Sequence, residues 1–220
     1  MLTSNPLPYI DFPQLLIAFG VLLFSLTVHE SAHAWTADRL GDSTARHLGR
    51  VSLNPLVHID PIGTVVFPLL AMVGNLPVIG WAKPVPVDTR NLQNARRDYL
   101  FVAAAGPASN LVLALVASMA LRVLPVAPAT LGEMNISVPA ASILSRTLEL
   151  NVLLAIFNMV PIPPLDGGTV LAGLLPHRVA DAFDAVMRPY GFLVLYALLL
   201  TGALWAVVAP PYSFLMSLLL

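Results

Sequence analysis

The sequence predicts an all-α integral membrane protein with about four transmembrane helices plus a re-entrant segment, and three observations carry that prediction. Apolar residues make up 57% of the chain and charged residues only 10%, against about 25% charged in a soluble domain. The charges cluster between long uncharged blocks, whereas a soluble core of this size would interleave them at a helical or strand period. Finally, one of the blocks is crowded with proline and glycine, which a straight membrane helix would not accommodate.

The uncharged blocks cover 12–29, 61–82, 99–121, 150–165 and 189–220, and a membrane span needs about 20 mostly apolar residues. The first continues to Ala37, with Glu30 as the only formal charge between Asp11 and Asp38. The N-terminal tail has no positive region or small-residue cleavage site, so this block is expected to remain in the mature protein. The fourth block is expected to begin near Leu148, with Arg146 and Glu149 one helical turn apart at its mouth, placed to bridge or snorkel. The last block predicts a C-terminal membrane helix over about 189–209. Residues 210–220 are too short to span alone and are expected along the outer interface or packed on that helix. Trp35, Trp81 and Tyr99 fall near block ends and read as interfacial anchors. No repeat or linker divides the chain, which reads as a single membrane-embedded domain over 1–220 with a core over about 12–175.

Orientation follows from the cations. Nine of the eleven Lys and Arg residues lie in three loops: Arg39, Arg46 and Arg50; Lys83, Arg90, Arg96 and Arg97; Arg178 and Arg188. Those loops are therefore expected in the cytoplasm and the N-terminus outside. Two of them flank the block 61–82, which then cannot cross once. Pro61, Gly63, Pro68, Gly74, Pro77 and Gly80 within it agree with a segment that enters and returns, since irregular backbone is tolerated at membrane depth where protein shields it.

The net charge of −1 and the lack of a basic run argue against a nucleic-acid partner. With no cysteine, any metal must be held by His, Asp or Glu. At the end of the first block, His29-Glu30-Ser31-Ala32-His33 sets two histidines four residues apart, on one face of a helix, where both rings can bind one zinc ion. Glu30 beside them is suited to take a proton from an attacking water. Ionisable groups in a membrane helix are costly and mark function by default. A catalytic zinc site wants a third protein ligand and an open position. The candidate is Asp166, in Asn158 to Gly168 (NMVPIPPLDGG), behind three prolines; the same residue could instead N-cap a short helix over 167–174. His47, His58 and His177 read as solvated loop or headgroup-level residues.

The HESAH motif in a membrane helix, paired with N-x-x-P-x-P-P-L-D-G-G over 158–168, resembles the site-2 protease family of intramembrane zinc metalloproteases. The stretches GWAKPVPVDTRN over 80–91 and AAGPASN over 104–110 are similar to segments of its compact bacterial members. The resemblance covers about 15–175. It implies one Zn²⁺ per chain held by His29, His33 and Asp166 between helices near the cytoplasmic face. It further implies Glu30 as the catalytic base, and cleavage in or beside the transmembrane segments of membrane-protein substrates from within the lipid bilayer of a bacterial inner membrane. It places Asn158 near the zinc, as a candidate for holding the substrate backbone or supporting the oxyanion. Asn110 is a candidate for the same role, or for close helix packing beside Gly106. The pattern departs from that of larger relatives in that neither a PDZ insertion nor a CBS pair is expected. Two other functions fit part of the pattern: a metal-binding membrane transporter, which would not need Glu30, and a proteolytically silent scaffold, which would not need HESAH intact.

Overall fold

The computed structural model describes residues 12–67, 69–70, 82–124 and 137–220. Among them the secondary structure is helical throughout: α1 (Phe12–Arg39), α2 (Thr44–His47), α3 (Ala95–Val123), α4 (Ser137–Asn158), α5 (Asp166–Leu174), α6 (His177–Leu200) and α7 (Ala203–Leu219). Four of these, α1, α3, α4 and α6, are long and apolar enough to cross a membrane. Short 3₁₀ turns at Pro55–Val57 and Thr89–Asn91 and a π-helical stretch at Pro61–Val66 punctuate the connection between α2 and α3.

Local chemistry explains where the elements begin and end. α1 stops because Gly41 takes a left-handed φ of +112°, which also brings its α-carbon too close to the Asn91 carbonyl for a side chain. α3 opens with a reciprocal cap: Asn94 Oδ1 accepts from Arg97 N–H at 3.2 Å, and Asp98 Oδ2 accepts from Asn94 N–H at 2.7 Å. α4 ends ahead of Pro161, Pro163 and Pro164, and the turn through them returns the chain into α5. Gly167 and Gly168 lie against Met159 and Pro163 there, with no room for a β-carbon.

α3 packs against α1 and α4 to form the body of the molecule, and α5 lies against α3. Ala114, Ala117, Leu148 and Val152 are buried between α3 and α4, with Tyr212, Leu215 and Leu219 of α7 against them. A second cluster, Val160, Leu165, Leu204 and Val208, joins the proline turn to α7. Arg96 Nη2 donates to the Ala172 carbonyl at 2.7 Å and to that of Leu175, tying the end of α5 to α3.

The C-terminal helix expected over 189–209 is instead two helices. Gly202, at φ +74°, breaks the apolar block in its middle, and α6 starts at His177, three turns before the uncharged stretch. A charge-free window marks what can face lipid, and a helix can run past it with Arg178, Asp181 and Asp184 on its exposed first turns. α4 likewise starts well before Leu148, and Arg146 bridges Glu149 at 3.3 Å. Residue 68 and residues 71–81, most of the block expected to re-enter, lie outside the described residues. At its margins, however, Lys83 N–H donates to the His58 carbonyl at 2.9 Å, so the chain leaves and comes back at one place.

Candidate metal centre

One helical turn separates His29 from His33 on the buried face of α1, where they are 4% and 8% exposed. Their Nε2 atoms stand 3.0 Å apart. Asp166, the first residue of α5, brings Oδ2 to 3.1 Å from His29 Nε2 and 3.4 Å from His33 Nε2. Leu165 occupies the N-cap position of α5, so Asp166 points at the histidines and does not cap the helix.

The donor chemistry of this trio fits a cation. His33 Nδ1 lies 2.7 Å from the Val102 carbonyl and His29 Nδ1 2.6 Å from Asn110 Oδ1. Both oxygens only accept, so both Nδ1 atoms carry the ring proton and both Nε2 atoms present lone pairs. With both rings neutral the trio is three lone pairs facing one another, and Asp166 Oδ2 is buried without a hydrogen-bond partner. Such a group is stable only around a positive charge. Ligands of a tetrahedral zinc at about 2.0–2.1 Å would be about 3.3 Å apart, close to the spacings seen. Gly106 of α3 keeps the space open: a β-carbon there would meet His33 Nε2 and stand 2.6 Å from His29 Nε2.

Glu30 is half-buried, and its Oε2 accepts from Val85 N–H at 3.2 Å. Val85 belongs to the K-P-V-P-V stretch over 83–87, where Pro84 and Pro86 leave few backbone donors. Asn158 ends α4 with its amide donating to the Leu154 carbonyl at 3.0 Å, and it makes no hydrogen bond to the trio. Asn110 is fully buried beside His29, with its amide nitrogen 2.7 Å from Asn151 Oδ1.

His58 differs from the expected loop histidine. It is 2% exposed, with Nε2 2.8 Å from the Ser52 carbonyl and 3.3 Å from the hydroxyl of Ser31, inside the HESAH motif. It thereby fastens the connection after α2 to α1. His47 and His177 are exposed at helix ends. No sequence spacing announces the contact of His58 with Ser31, which lies 27 residues back on α1.

Apolar helices that set an HExxH pair against an aspartate define a class of protein, the membrane-embedded metallopeptidases. The comparisons with known proteins agree. Peptidase family M50 matches over residues 125–202. The chain is 36% identical over 195 residues to the Bacillus subtilis protein named "Putative zinc metalloprotease YwhC", covering 88% of this chain and 85% of that one. It is 32% identical over 208 residues to "Putative zinc metalloprotease Rip2" of Mycolicibacterium smegmatis, covering 92% and 73%. The Rip2 of Mycobacterium tuberculosis H37Rv is 32% identical over 199 residues, covering 90% and 70%. No solved structure matches. The chain belongs to peptidase family M50, the site-2 protease family.

Proposed function

We propose that His29, His33 and Asp166 hold one zinc ion and that Glu30 is the general base of peptide hydrolysis at that centre, within a single membrane-embedded domain. The chain is an integral membrane protein and an intramembrane zinc metalloprotease, and its substrates are membrane proteins. The observation that carries the residue assignment is the convergence of three potential ligand atoms, within 4.8 Å of one another, on the space Gly106 leaves open. Zinc held there would supply Lewis-acid polarisation of the scissile carbonyl and would make an attacking water more acidic. Glu30 takes that water's proton, and passes it to the nitrogen of the leaving amine. The Val85 N–H engages Oε2, which orients the carboxylate and leaves Oε1 for the proton. Asn158, at the end of α4, is suited to hold the substrate backbone or the oxyanion; Asn110 acts behind His29 as a positioning residue. A substrate helix must unwind before its peptide bonds are accessible, because backbone groups opened in lipid are costly.

We place the N-terminus outside, the centre near the cytoplasmic face of a bacterial inner membrane, and the segment 61–82 as one that enters and returns. The bond between Lys83 and the His58 carbonyl supports that return, and the loop cations support the orientation. Cysteines introduced singly as Ser52→Cys and Asn91→Cys into this cysteine-free chain should both resist an impermeant thiol reagent from outside. Both should label when the cytoplasmic side is opened; labelling from opposite sides would refute the return. For the chemistry, purified Glu30→Gln should keep its zinc and lose cleavage of a transmembrane reporter, while Asp166→Ala should lose both. Full zinc affinity in Asp166→Ala would remove the third ligand.

A further inference from the structure

We propose that Asn151, whose hydrogen bonds go to Asn110, Ser25 and Thr147 and not to a metal ligand or the catalytic glutamate, is a positioning residue that fixes the ring proton of His29 on Nδ1 and so makes Nε2 a ligand. A chain of hydrogen bonds with one chemically fixed end runs from Asn151 to His29. The fixed end is the Thr147 carbonyl, a backbone oxygen that can only accept. The Asn151 atom 2.8 Å from it is therefore Nδ2, and the same nitrogen donates to Ser25 Oγ at 2.8 Å. The remaining Asn151 atom is Oδ1, also an acceptor only, so the Asn110 atom 2.7 Å away must be Nδ2. Asn110 Oδ1 then faces His29 Nδ1 at 2.6 Å, and an acceptor at that point demands the proton there. With Asn151 reversed, each link reverses. Asn110 would offer its amide protons to a bare Nδ1, and the ring proton would sit on Nε2, where it excludes a metal.

Two features make the chain decisive. Ser25, Asn110 and Asn151 come from α1, α3 and α4 and are each 0% exposed, and the buried core residues next to the two amides, Ala114 of α3 and Leu148 and Val152 of α4, are apolar. An amide released from the chain finds no substitute partner there. His33, by contrast, is oriented directly by a backbone carbonyl, that of Val102, and needs no relay. The two histidines of one motif therefore depend on Asn151 unequally.

The inference rests on His29 being a zinc ligand, and the two fail separately: zinc content of His29→Ala tests the ligand, and the ring-proton position in metal-free protein tests Asn151. ¹⁵N NMR of histidine-labelled, metal-free protein reads that position, with resonances assigned by single substitution. Wild type should carry Nδ1–H on both His29 and His33. Asn151→Leu, similar in size and apolar, should lose the single Nδ1–H form at His29, keep it at His33, and bind zinc about 10- to 100-fold more weakly. Asn151→Asp should behave as wild type, since a neutral buried acid donates its O–H to Thr147 and accepts from Asn110 through its carbonyl. Nε2–H on His29 in wild type would overturn the proposal. So would Nδ1–H and zinc affinity unchanged in Asn151→Leu, or Asn151→Asp losing the Nδ1–H form. If Asn151→Leu does not fold, wild type and Asn151→Asp decide the matter.

Discussion

α3 and α6 are both apolar enough to cross a bilayer, yet 39% of the most apolar window of α3 is buried against 6% of that of α6. In lipid no hydrophobic force draws one helix to another, and close association depends on small residues and on polar bonds between helices. α3 has both: Gly106 at the histidines, Ala103, Ala114 and Ala117 in the core, and Asn110 in the buried hydrogen-bond chain. α6 buries only Ala180 and Gly191, and presents Phe192, Leu193, Tyr196 and Leu200 outward. Hydropathy thus marks both helices as membrane segments but does not separate the one that builds the zinc centre from the one that borders it.

The sharpest way to break this comparison is to add one side chain to each helix. Gly106→Val fills the space between His29 and His33, and zinc binding should weaken on the order of 100-fold or more, with cleavage abolished. Gly191 of α6 lies against the Pro163 carbonyl with no room for a β-carbon. Gly191→Val should push α6 off the proline turn and slow cleavage roughly tenfold while zinc remains bound. Zinc measured by metal analysis of both purified variants distinguishes the two helices; equal zinc loss would mean α6 is part of the metal scaffold after all.

A smaller effect is expected between those extremes, at α5. Asp166 starts that helix and Arg96 of α3 holds its last carbonyls. Arg96→Ala leaves those carbonyls without a charged donor and should cost about 1–3 kcal/mol of stability, read by thermal unfolding in detergent. An unchanged midpoint would show that α5 is held by its glycine contacts alone.

The same contrast explains what could be read from the sequence. The juxtaposition of His29 and His33 was legible because a helix repeats every 3.6 residues and both side chains sit on one helix. Asp166 was legible only as one of two possibilities, ligand or N-cap, since its distance from the histidines is a tertiary fact. Asn110 read equally well as a substrate contact or as helix packing. Its actual partners, His29 and Asn151, are 81 and 41 residues away, and no local pattern encodes such a chain. His58 was misjudged for the same reason, its contact to Ser31 lying 27 residues back. The start of α6 was missed because charge was taken to end a helix, when it only ends the part that lipid can cover.

A further effect, confined to the turn just past the C-terminal end of α1 and leaving zinc bound, should come from a carboxylate whose structural work the metal centre does not share. Asp42 is 0% exposed and accepts from Asp88 N–H at 2.7 Å, Asn91 Nδ2 at 2.9 Å, Thr44 N–H at 3.1 Å and the Thr44 hydroxyl. It thus clamps the segment after Val87 to the turn after α1. Burial alone would raise its pKa, but the Asn91 amide, the Thr44 hydroxyl and the Asp88 and Thr44 backbone donors outweigh it, and the pKa falls below the ordinary value. A depressed carboxylate contributes stability that is fully present above its unfolded pKa of about 3.9 and is lost as pH falls through the folded value. Amide exchange at residues 88–91 should therefore be slow and insensitive to pH-driven opening from about pH 8 to 5, and should reveal loosening below about pH 4. Asp42→Asn keeps the shape but sets an amide against other donors, so it should loosen the clamp at neutral pH by about 1–3 kcal/mol and abolish its acid dependence, with zinc still bound. If protection at residues 88–91 in Asp42→Asn still collapses below about pH 4 as in wild type, the acid sensitivity belongs to another carboxylate, with Asp88, lowered to about 2 by Arg90, as the next to test.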